Sequence, residues 1–263
     1  MKKYYALMIL SAALAAVNVP FSKYLLPQIP TMLLAALTYC GGAFGLGIVF
    51  LVTKLAKKNK DPALHGKDWL VILALNVCDC CANTMLFYGI SMLNGETASL
   101  LQSFEIVSTA ILAFLFFKER ITWRLWLAIA IVLGASVLLS FNPEQAFAFN
   151  PGALLILGTT ILWGVANNLA KTLANRDPIE YSFFKCLLPG IVLLIIAMSL
   201  KDFSANVPAI SLGLLDGFLA YGVSIVLMMM CFRHMPVSLG TALYATNPFL
   251  GAIFSLIIFW QLP

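Results

Sequence analysis

The chain has 263 residues, of which 62% are hydrophobic and 10% charged, and its formal net charge is +5. Soluble domains carry roughly 25% charged residues, and a water-facing surface as apolar as this one would drive association. The composition therefore excludes an ordinary soluble protein. It predicts an all-α, polytopic membrane protein.

Long apolar runs follow one another along the chain. A helix that crosses a bilayer needs about 20 mostly apolar residues, and continuous runs favour such helices over the alternating strands of a barrel. The sequence contains nine of these runs, which are residues 4–26, 31–53, 69–90, 95–117, 122–141, 152–173, 180–200, 209–231 and 237–260. The longest connection, residues 54–68, is too short for a soluble catalytic domain.

Basic residues are distributed unequally between the two sides of the predicted bundle. The side that carries the N-terminus holds Lys2, Lys3, Lys54, Lys57, Lys58, Lys60, Lys67, Lys118, Arg120, Arg124, Arg176 and Arg233. The opposite side holds Lys23 and Lys201. Because positively charged loops stay in the cytoplasm, we expect a cytoplasmic N-terminus in the plasma membrane, specifically a bacterial inner membrane. The bias explains the basic charge without a nucleic-acid partner.

The two halves of the sequence resemble each other. Thr97–Glu119 aligns with Leu239–Gln261 at an offset of 142 residues, which places Glu105 on Asn247. Asn18–Pro30 aligns with Ala166–Pro178 at an offset of 148 residues. The pattern predicts an internal repeat, as many transporters have.

The predicted repeats are unequal in length. The first, residues 1–141, holds five helices, and the second, residues 142–263, holds four. An odd number of helices in the first copy inverts the second copy in the membrane. The second copy stops at Gln261-Leu262-Pro263, where a tenth helix should begin, so we expect a truncated chain or a natural nine-helix variant.

Several short motifs accompany the repeat. They are Gly95-Glu96-Thr97-Ala98-Ser99-Leu100-Leu101, Phe117-Lys118-Glu119-Arg120-Ile121-Thr122, Trp163-Gly164-Val165-Ala166-Asn167 and Asn247-Pro248. With them the chain resembles the EamA family of the drug/metabolite transporter superfamily. The resemblance implies a ten-helix, inverted-repeat carrier with a central cavity. Members of that family move amino acids, nucleotide-sugar-like metabolites or drugs.

Polar residues inside the predicted spans are candidates for a binding site. Charged side chains in a span are costly and usually face a cavity or a partner. Together with polar residues at helical spacing, these charged residues form polar stripes along one face of a helix. The stripes and the predicted kinks give the candidate substrate-binding residues Asn18, Asp79, Asn83, Gln102, Glu105, Trp163, Asn167, Tyr244 and Asn247. The alternative is that these side chains only hydrogen-bond between helices.

Two pairs of charged residues allow more specific hypotheses. Glu105, alone or with Asp79, could bind a cationic group or a coupling proton, since a carboxyl group in a low-dielectric site holds a proton more readily. Asp216 and Lys185 could form a structural ion pair instead of a site.

Several other sequence features indicate a structural role and not a binding or metal site. Two small-xxx-small pairs, Gly41–Gly45 and Gly213–Gly217, predict close helix contacts, and Pro20 and Pro248 predict kinks. The cysteines at 78, 80 and 81 lack a second ligand cluster, so we predict no metal and no cofactor. The loop at 118–120 is interpreted as an orienting loop and not as a substrate site.

We predict a secondary transporter, specifically an exporter of a small metabolite, amino acid or drug that works by alternating access. Its expected partners are a small-molecule substrate, the lipid bilayer and, as an open alternative, protons. The sequence has no phosphate-binding loop for ATP. A membrane scaffold that does not transport is the main alternative. An intramembrane enzyme is disfavoured because no H-E-x-x-H motif or nucleophile–base pair is evident.

Overall fold

Helices account for all regular structure in the part of the chain that the computed structural model describes, residues 2–56, 61–92, 101–120, 122–140 and 151–259. In chain order the helices are α1 (Lys2–Ala16), α2 (Asn18–Leu25), α3 (Thr31–Leu55), α4 (Asp68–Ser91), α5 (Glu105–Phe117), α6 (Trp123–Ser140), α7 (Pro151–Thr172), α8 (Pro178–Ser199), α9 (Val207–Gly217), α10 (Ser224–Phe232), α11 (Val237–Tyr244) and α12 (Asn247–Phe259). A π-helical segment, Phe218–Val223, connects α9 to α10.

The helices present large apolar side chains outward. Phe44, Leu55, Phe116 and Trp123 are each at least 70% exposed, which suits hydrocarbon and not water. Six helical stretches are long and apolar enough to cross a membrane: Lys2–Ser22, Thr31–Leu55, Asp68–Leu86, Pro151–Thr172, Pro178–Ser199 and Val207–Phe232. The predicted all-α, polytopic membrane fold is confirmed.

The predicted number of nine spans stays a prediction. The remaining predicted spans contain α5, α6 and the pair α11 and α12, which are shorter helices. Residues 95–100, 141 and 260 of these spans lie outside the described part of the chain, and so does most of the Gly95–Leu101 motif.

Polar caps and prolines set several helix ends. Asp177 accepts a hydrogen bond from the backbone N–H of Ile179 at the start of α8, and Pro178 takes a position where no helical N–H is needed. Asn206 caps α9 in the same way through Ala209. These ends are local consequences of sequence.

Besides the predicted span 95–117, which the turn at Ser103–Phe104 divides, three long predicted spans are interrupted. Between α1 and α2 the N–H of Val17 bonds to Leu14 three residues back, and Pro20 has no N–H to continue the ladder. α11 ends at Tyr244 and α12 begins at Asn247, so the second interruption lies beside Pro248. The third interruption is the π-helical segment.

The described residues form two compact units. The first unit comprises residues 1–72, 173–234 and 246–263, and the second comprises residues 73–172 and 235–245. Each unit takes helices from both halves of the sequence. Compactness and sequence resemblance are different criteria, so the predicted repeats 1–141 and 142–263 remain a prediction.

Each unit has its own apolar core. In the first unit the core cluster joins α2, α3 and α9 through Leu25, Ile29, Leu34, Leu37 and Ala209. In the second unit the core joins α5, α6 and α11 through Ile106, Ala110, Leu125, Ile129 and Ala242. The cores hold fixed the helices that carry the polar groups described below.

Glycines permit one close helix crossing in the first unit. A Cβ atom at Gly41 would collide with the backbone of Leu214, and one at Gly217 would collide with the backbone of Thr38. α3 and α9 therefore cross with their backbones in contact, as the small-xxx-small pairs predict.

Candidate functional site

A polar cluster in the second unit is centred on Glu105. This residue is the first of α5, after a turn at Ser103–Phe104, so its carboxylate lies at the positive end of the helix. The side-chain amide of Asn167 on α7 donates a hydrogen bond of 2.8 Å to Glu105 Oε1. A second, longer contact of 3.4 Å joins the same amide to Thr109 Oγ1. Both Glu105 and Asn167 keep part of their surface exposed.

Neighbouring groups hold α5 and α7 together around this cluster. Asn168 donates from its Nδ2 to the backbone oxygens of Thr109 at 3.1 Å and Gly164 at 2.8 Å. A Cβ atom at Gly164 would lie 3.0 Å from the backbone nitrogen of Thr109, so glycine allows the close approach. The positions of Glu105 and Asn167 are therefore fixed by a packed helix pair.

The other predicted residues of the second unit lie on the same set of helices. Asp79 is buried on α4, and Asn83 donates to its backbone oxygen at 2.8 Å. Trp163 lies one turn before Asn167 on α7, and Tyr244 is the last residue of α11. Gln102 lies just before α5 and is half-buried. Among the predicted residues, the structure joins the side chains of Glu105 and Asn167 directly.

The remaining predicted residues belong to the first unit. Asn247 is the first residue of α12, the position that matches Glu105 at the offset of 142 residues. Asn18 begins α2 and donates from its Nδ2 to Asp216 Oδ2 at 2.6 Å. The hypothesis that Asp216 pairs with Lys185 is wrong, because Asp216 Oδ2 bonds to Asn18 and Oδ1 has no partner among the described residues.

The family follows from comparison of the whole sequence. A model of the EamA-like transporter family matches residues 2–141 and again residues 150–261. The chain belongs to the EamA-like transporter family. This family is part of the drug/metabolite transporter superfamily, as the motifs predict.

Individual relatives are more distant. An uncharacterized transporter of Methanothermobacter thermautotrophicus is 28% identical over 210 residues, which are 77% of this chain and 61% of that protein. An uncharacterized member of solute carrier family 35 from Schizosaccharomyces pombe is 28% identical over 145 residues, or 52% of this chain and 28% of that protein. The matches thus span less than two thirds of either relative. A crystal structure with a TM-score of 0.80 and 16% identity covers 98% of this chain and 89% of its own, which shows a shared fold.

A second polar arrangement in this EamA-like chain is structural. Glu119 accepts hydrogen bonds from the backbone N–H groups of Val237 at 2.9 Å and Ser238 at 3.3 Å, and from the Ser238 hydroxyl at 2.8 Å. Lys171 donates to the Met235 backbone oxygen at 2.7 Å. Glu119 thus caps α11, a role that sequence reasoning missed because the capping residue is distant in the chain.

A pocket of about 230 Å³ lies in the first unit, near Tyr4, Asp61, Arg233 and His234. The Arg233 guanidinium is engaged there, with 2.9 Å hydrogen bonds to Asp61 Oδ1 and to the backbone oxygens of Ala174 and Arg176. The Tyr4 and His234 rings stack with centroids 4.0 Å apart. These contacts tie loops to helices, and we assign the pocket no ligand.

The cysteines do not build a metal centre with other described residues. Cys78 and Cys80 are half-buried on α4, and Cys81 is exposed. Within the described ranges no three His, Cys, Asp or Glu side chains converge.

Proposed function

We propose that the chain is a secondary transporter that exports a small metabolite, amino acid or drug by alternating access. Family membership supports transport as the activity. The observation that carries the proposal is the Glu105–Asn167 pair, a partly exposed carboxylate and amide that lie among apolar helices. Such a pair suits a cationic or hydrogen-bond-donating group on the substrate.

The predicted site residues divide into proposed roles. Glu105 supplies charge and Asn167 orients it, while Trp163 and Gln102 lie on the adjoining turns of the same two segments. We propose Asp79, Asn83, Tyr244, Asn18 and Asn247 as further substrate-binding residues, on the polar stripes that the sequence predicts.

We also propose the inverted repeat. Ser11 Oγ donates to the Ser224 backbone oxygen at 2.7 Å, and Thr159 Oγ1 donates to the Ala82 backbone oxygen at 3.0 Å. Ser11 matches Thr159 at the offset of 148 residues, and Ala82 matches Ser224 at 142. The same hydrogen bond therefore recurs at equivalent positions, which supports two copies of one helical unit. We propose that the chain lies in a plasma membrane and that its N-terminus is on the cytoplasmic side.

Counterflow in proteoliposomes tests the proposal. Proteoliposomes that contain the purified chain are loaded with one unlabelled compound at a time, from a panel of amino acids, amines and nucleotide sugars. Uptake of the same compound in labelled form is then followed. We expect uptake above that of empty liposomes for at least one compound. Glu105→Gln should lower this uptake strongly and leave a measurable remainder, because it removes the charge but keeps a side chain of the same size that can still form hydrogen bonds.

The matched control is Asp202→Asn, which removes a carboxylate from the loop between α8 and α9. It should transport as the unaltered chain does. Uptake equal to that of empty liposomes across the whole panel would favour the scaffold alternative. Equal uptake by the Glu105→Gln and Asp202→Asn variants would remove Glu105 from the site.

A further inference from the structure

Asp216 is a buried carboxyl group that the proposed substrate site does not use. Its side chain is 0% exposed, inside the apolar span Val207–Phe232. Oδ2 accepts one hydrogen bond, from Asn18, and Oδ1 has no hydrogen-bond partner among the described residues. An ionised carboxylate has about four acceptor positions, so this group is far from satisfied.

The other buried carboxylates of the first unit accept backbone hydrogen bonds, and neither leaves a buried oxygen atom without a partner. Glu180 Oε2 accepts a hydrogen bond from the Leu64 backbone N–H at 2.8 Å. Asp177 Oδ1 accepts one from Ile179 at 2.9 Å. Within the described part of the chain, Asp216 Oδ1 is the one carboxylate oxygen that is both buried and unpartnered. Its surroundings are therefore not those of a structural cap.

Both helices that meet at Asp216 are irregular there. Asn18 directly follows the interruption between α1 and α2. On the other side, the π-helical segment begins two residues after Asp216 and ends at Val223. π-Helical turns are rare and are frequent at functional sites.

The π-helical segment aligns two polar contacts. Ser224 Oγ donates to the Ser11 backbone oxygen at 2.9 Å, and Asn18 bonds to Asp216. Ser11 and Asn18 are seven residues apart, whereas Asp216 and Ser224 are eight apart. An α-helix of 3.6 residues per turn would turn the eighth residue away. The wider π-helical turn absorbs the extra residue.

Ionisable residues on the elements packed against α9 are few. They are Lys23 and Tyr24 on α2, Tyr39, Cys40 and Lys54 on α3, and Tyr221 in the π-helical segment. Tyr39 and Tyr221 pack on each other with ring centroids 4.8 Å apart. The side chain of Lys23 lies outside the described residues. No ion pair joins Asp216 to a described residue.

We propose that Asp216, held by Asn18, is a proton-binding site that couples transport to a proton gradient. The proton adds to Oδ1 and converts the carboxylate into a neutral acid, and no other bond changes. A lone charge without water is costly, and the bound proton removes it. Release requires water to reach Asp216 in another conformation of the first unit. The coupling role rests on the proposed transport function, but proton binding does not.

Infrared difference spectra of the full chain in lipid vesicles, taken between acidic and alkaline buffer, test proton binding without any substrate. We expect the C=O band of a buried carboxylic acid. It should be absent in Asp216→Asn, present in Asp202→Asn, and restored at a shifted frequency in Asp216→Glu. In Asn18→Ala the band should move to higher frequency, because the carbonyl Oδ2 loses its donor.

The outcomes separate the proposals. A wild-type band in folded Asp216→Asn would overturn the proton site, and so would removal of the band by sodium chloride at constant pH. Intact counterflow with no acid band would overturn the proton site alone. An acid band without counterflow would overturn the transport function and the coupling role that rests on it, but not proton binding. With both intact, Asp216→Asn should keep counterflow and lose accumulation driven by a pH gradient. Accumulation that is retained would overturn the coupling role.

Discussion

Two carboxylates within the membrane-embedded helices have different surroundings. Glu105 lies at the N-terminus of α5, bonds to Asn167 and keeps part of its surface exposed. Asp216 is buried, and among the described residues its side chain bonds to Asn18 alone. A substrate needs a binding group that it can reach from outside, as the partly exposed Glu105 is. A proton needs only one oxygen atom, which can be buried as in Asp216. The two environments therefore suit different ligands.

Adjacent asparagines on α7 should separate binding from packing. Asn167 bonds to a carboxylate, and hydrogen bonds to charged groups contribute about 1.5–3 kcal/mol. Asn167→Ala should therefore lower the counterflow rate by roughly 10- to 100-fold. Asn168 bonds to backbone oxygens, so Asn168→Ala should keep counterflow and lower stability by about 0.6 kcal/mol. Counterflow and thermal unfolding in detergent measure both, and equal transport loss in the two variants would contradict this assignment.

At this scale the sequence identifies unusual polar residues, but it does not predict which of them are in contact. Polar side chains in apolar runs identify Glu105, Asn167, Asn18 and Asp216 as unusual, because each is costly in lipid. Their partners depend on which helices are neighbours, and periodicity along one helix does not specify that. Charge alone favours a pair of Asp216 with Lys185, whereas the structure joins Asp216 to Asn18.

Among the elements, α11 depends on a cap from a distant loop. Glu119→Ala should free the N–H groups of Val237 and Ser238 and destabilise the start of α11 by about 1–3 kcal/mol. Hydrogen exchange at these amides measures the change. Arg120→Ala, an exposed neighbour, is the control. Unchanged protection in Glu119→Ala would show that the cap is dispensable.

The α3–α9 crossing should be intolerant of one methyl group. Gly217→Ala places a Cβ atom against the Thr38 backbone, which cannot move aside as a side chain can. We expect a loss of about 1–3 kcal/mol in the free energy of unfolding. Gly134→Ala on α6 is the matched control, because nothing lies within 4 Å of its new Cβ atom. Equal unfolding temperatures for the two variants would contradict the close crossing.

Helix bounds are more predictable than helix interruptions. The predicted run 180–200 and α8 (Pro178–Ser199) differ by two residues at most, because Asp177 and Pro178 signal the start. Pro20 and Pro248 likewise signal interruptions by lacking an N–H. The turn before Glu105 and the π-helical segment have no proline, and glycine occurs only at Gly222, so tertiary contacts and not local sequence determine them.

For the whole molecule, the distribution of basic residues predicts topology. Reporter fusions after Lys67, Arg120 and Arg176 should report the cytoplasm, and a fusion after Lys201 should report the opposite side. Alkaline phosphatase and a fluorescent protein are active on opposite sides of the membrane, so the two fusions together report the side on which each loop lies. A cytoplasmic signal after Lys201 would contradict the orientation of the second repeat.

The central claim is that Glu105 and Asn167 act together on the transported molecule, and a double-mutant cycle of counterflow rates tests it most directly. Once Glu105→Gln has removed the charge, Asn167→Ala should cause little further loss, because the two residues form one unit. The account predicts a double variant no slower than the worse single variant. Losses of the two single variants that multiply in the double variant, as for independent residues, would contradict it. Full activity in the double variant would also contradict it.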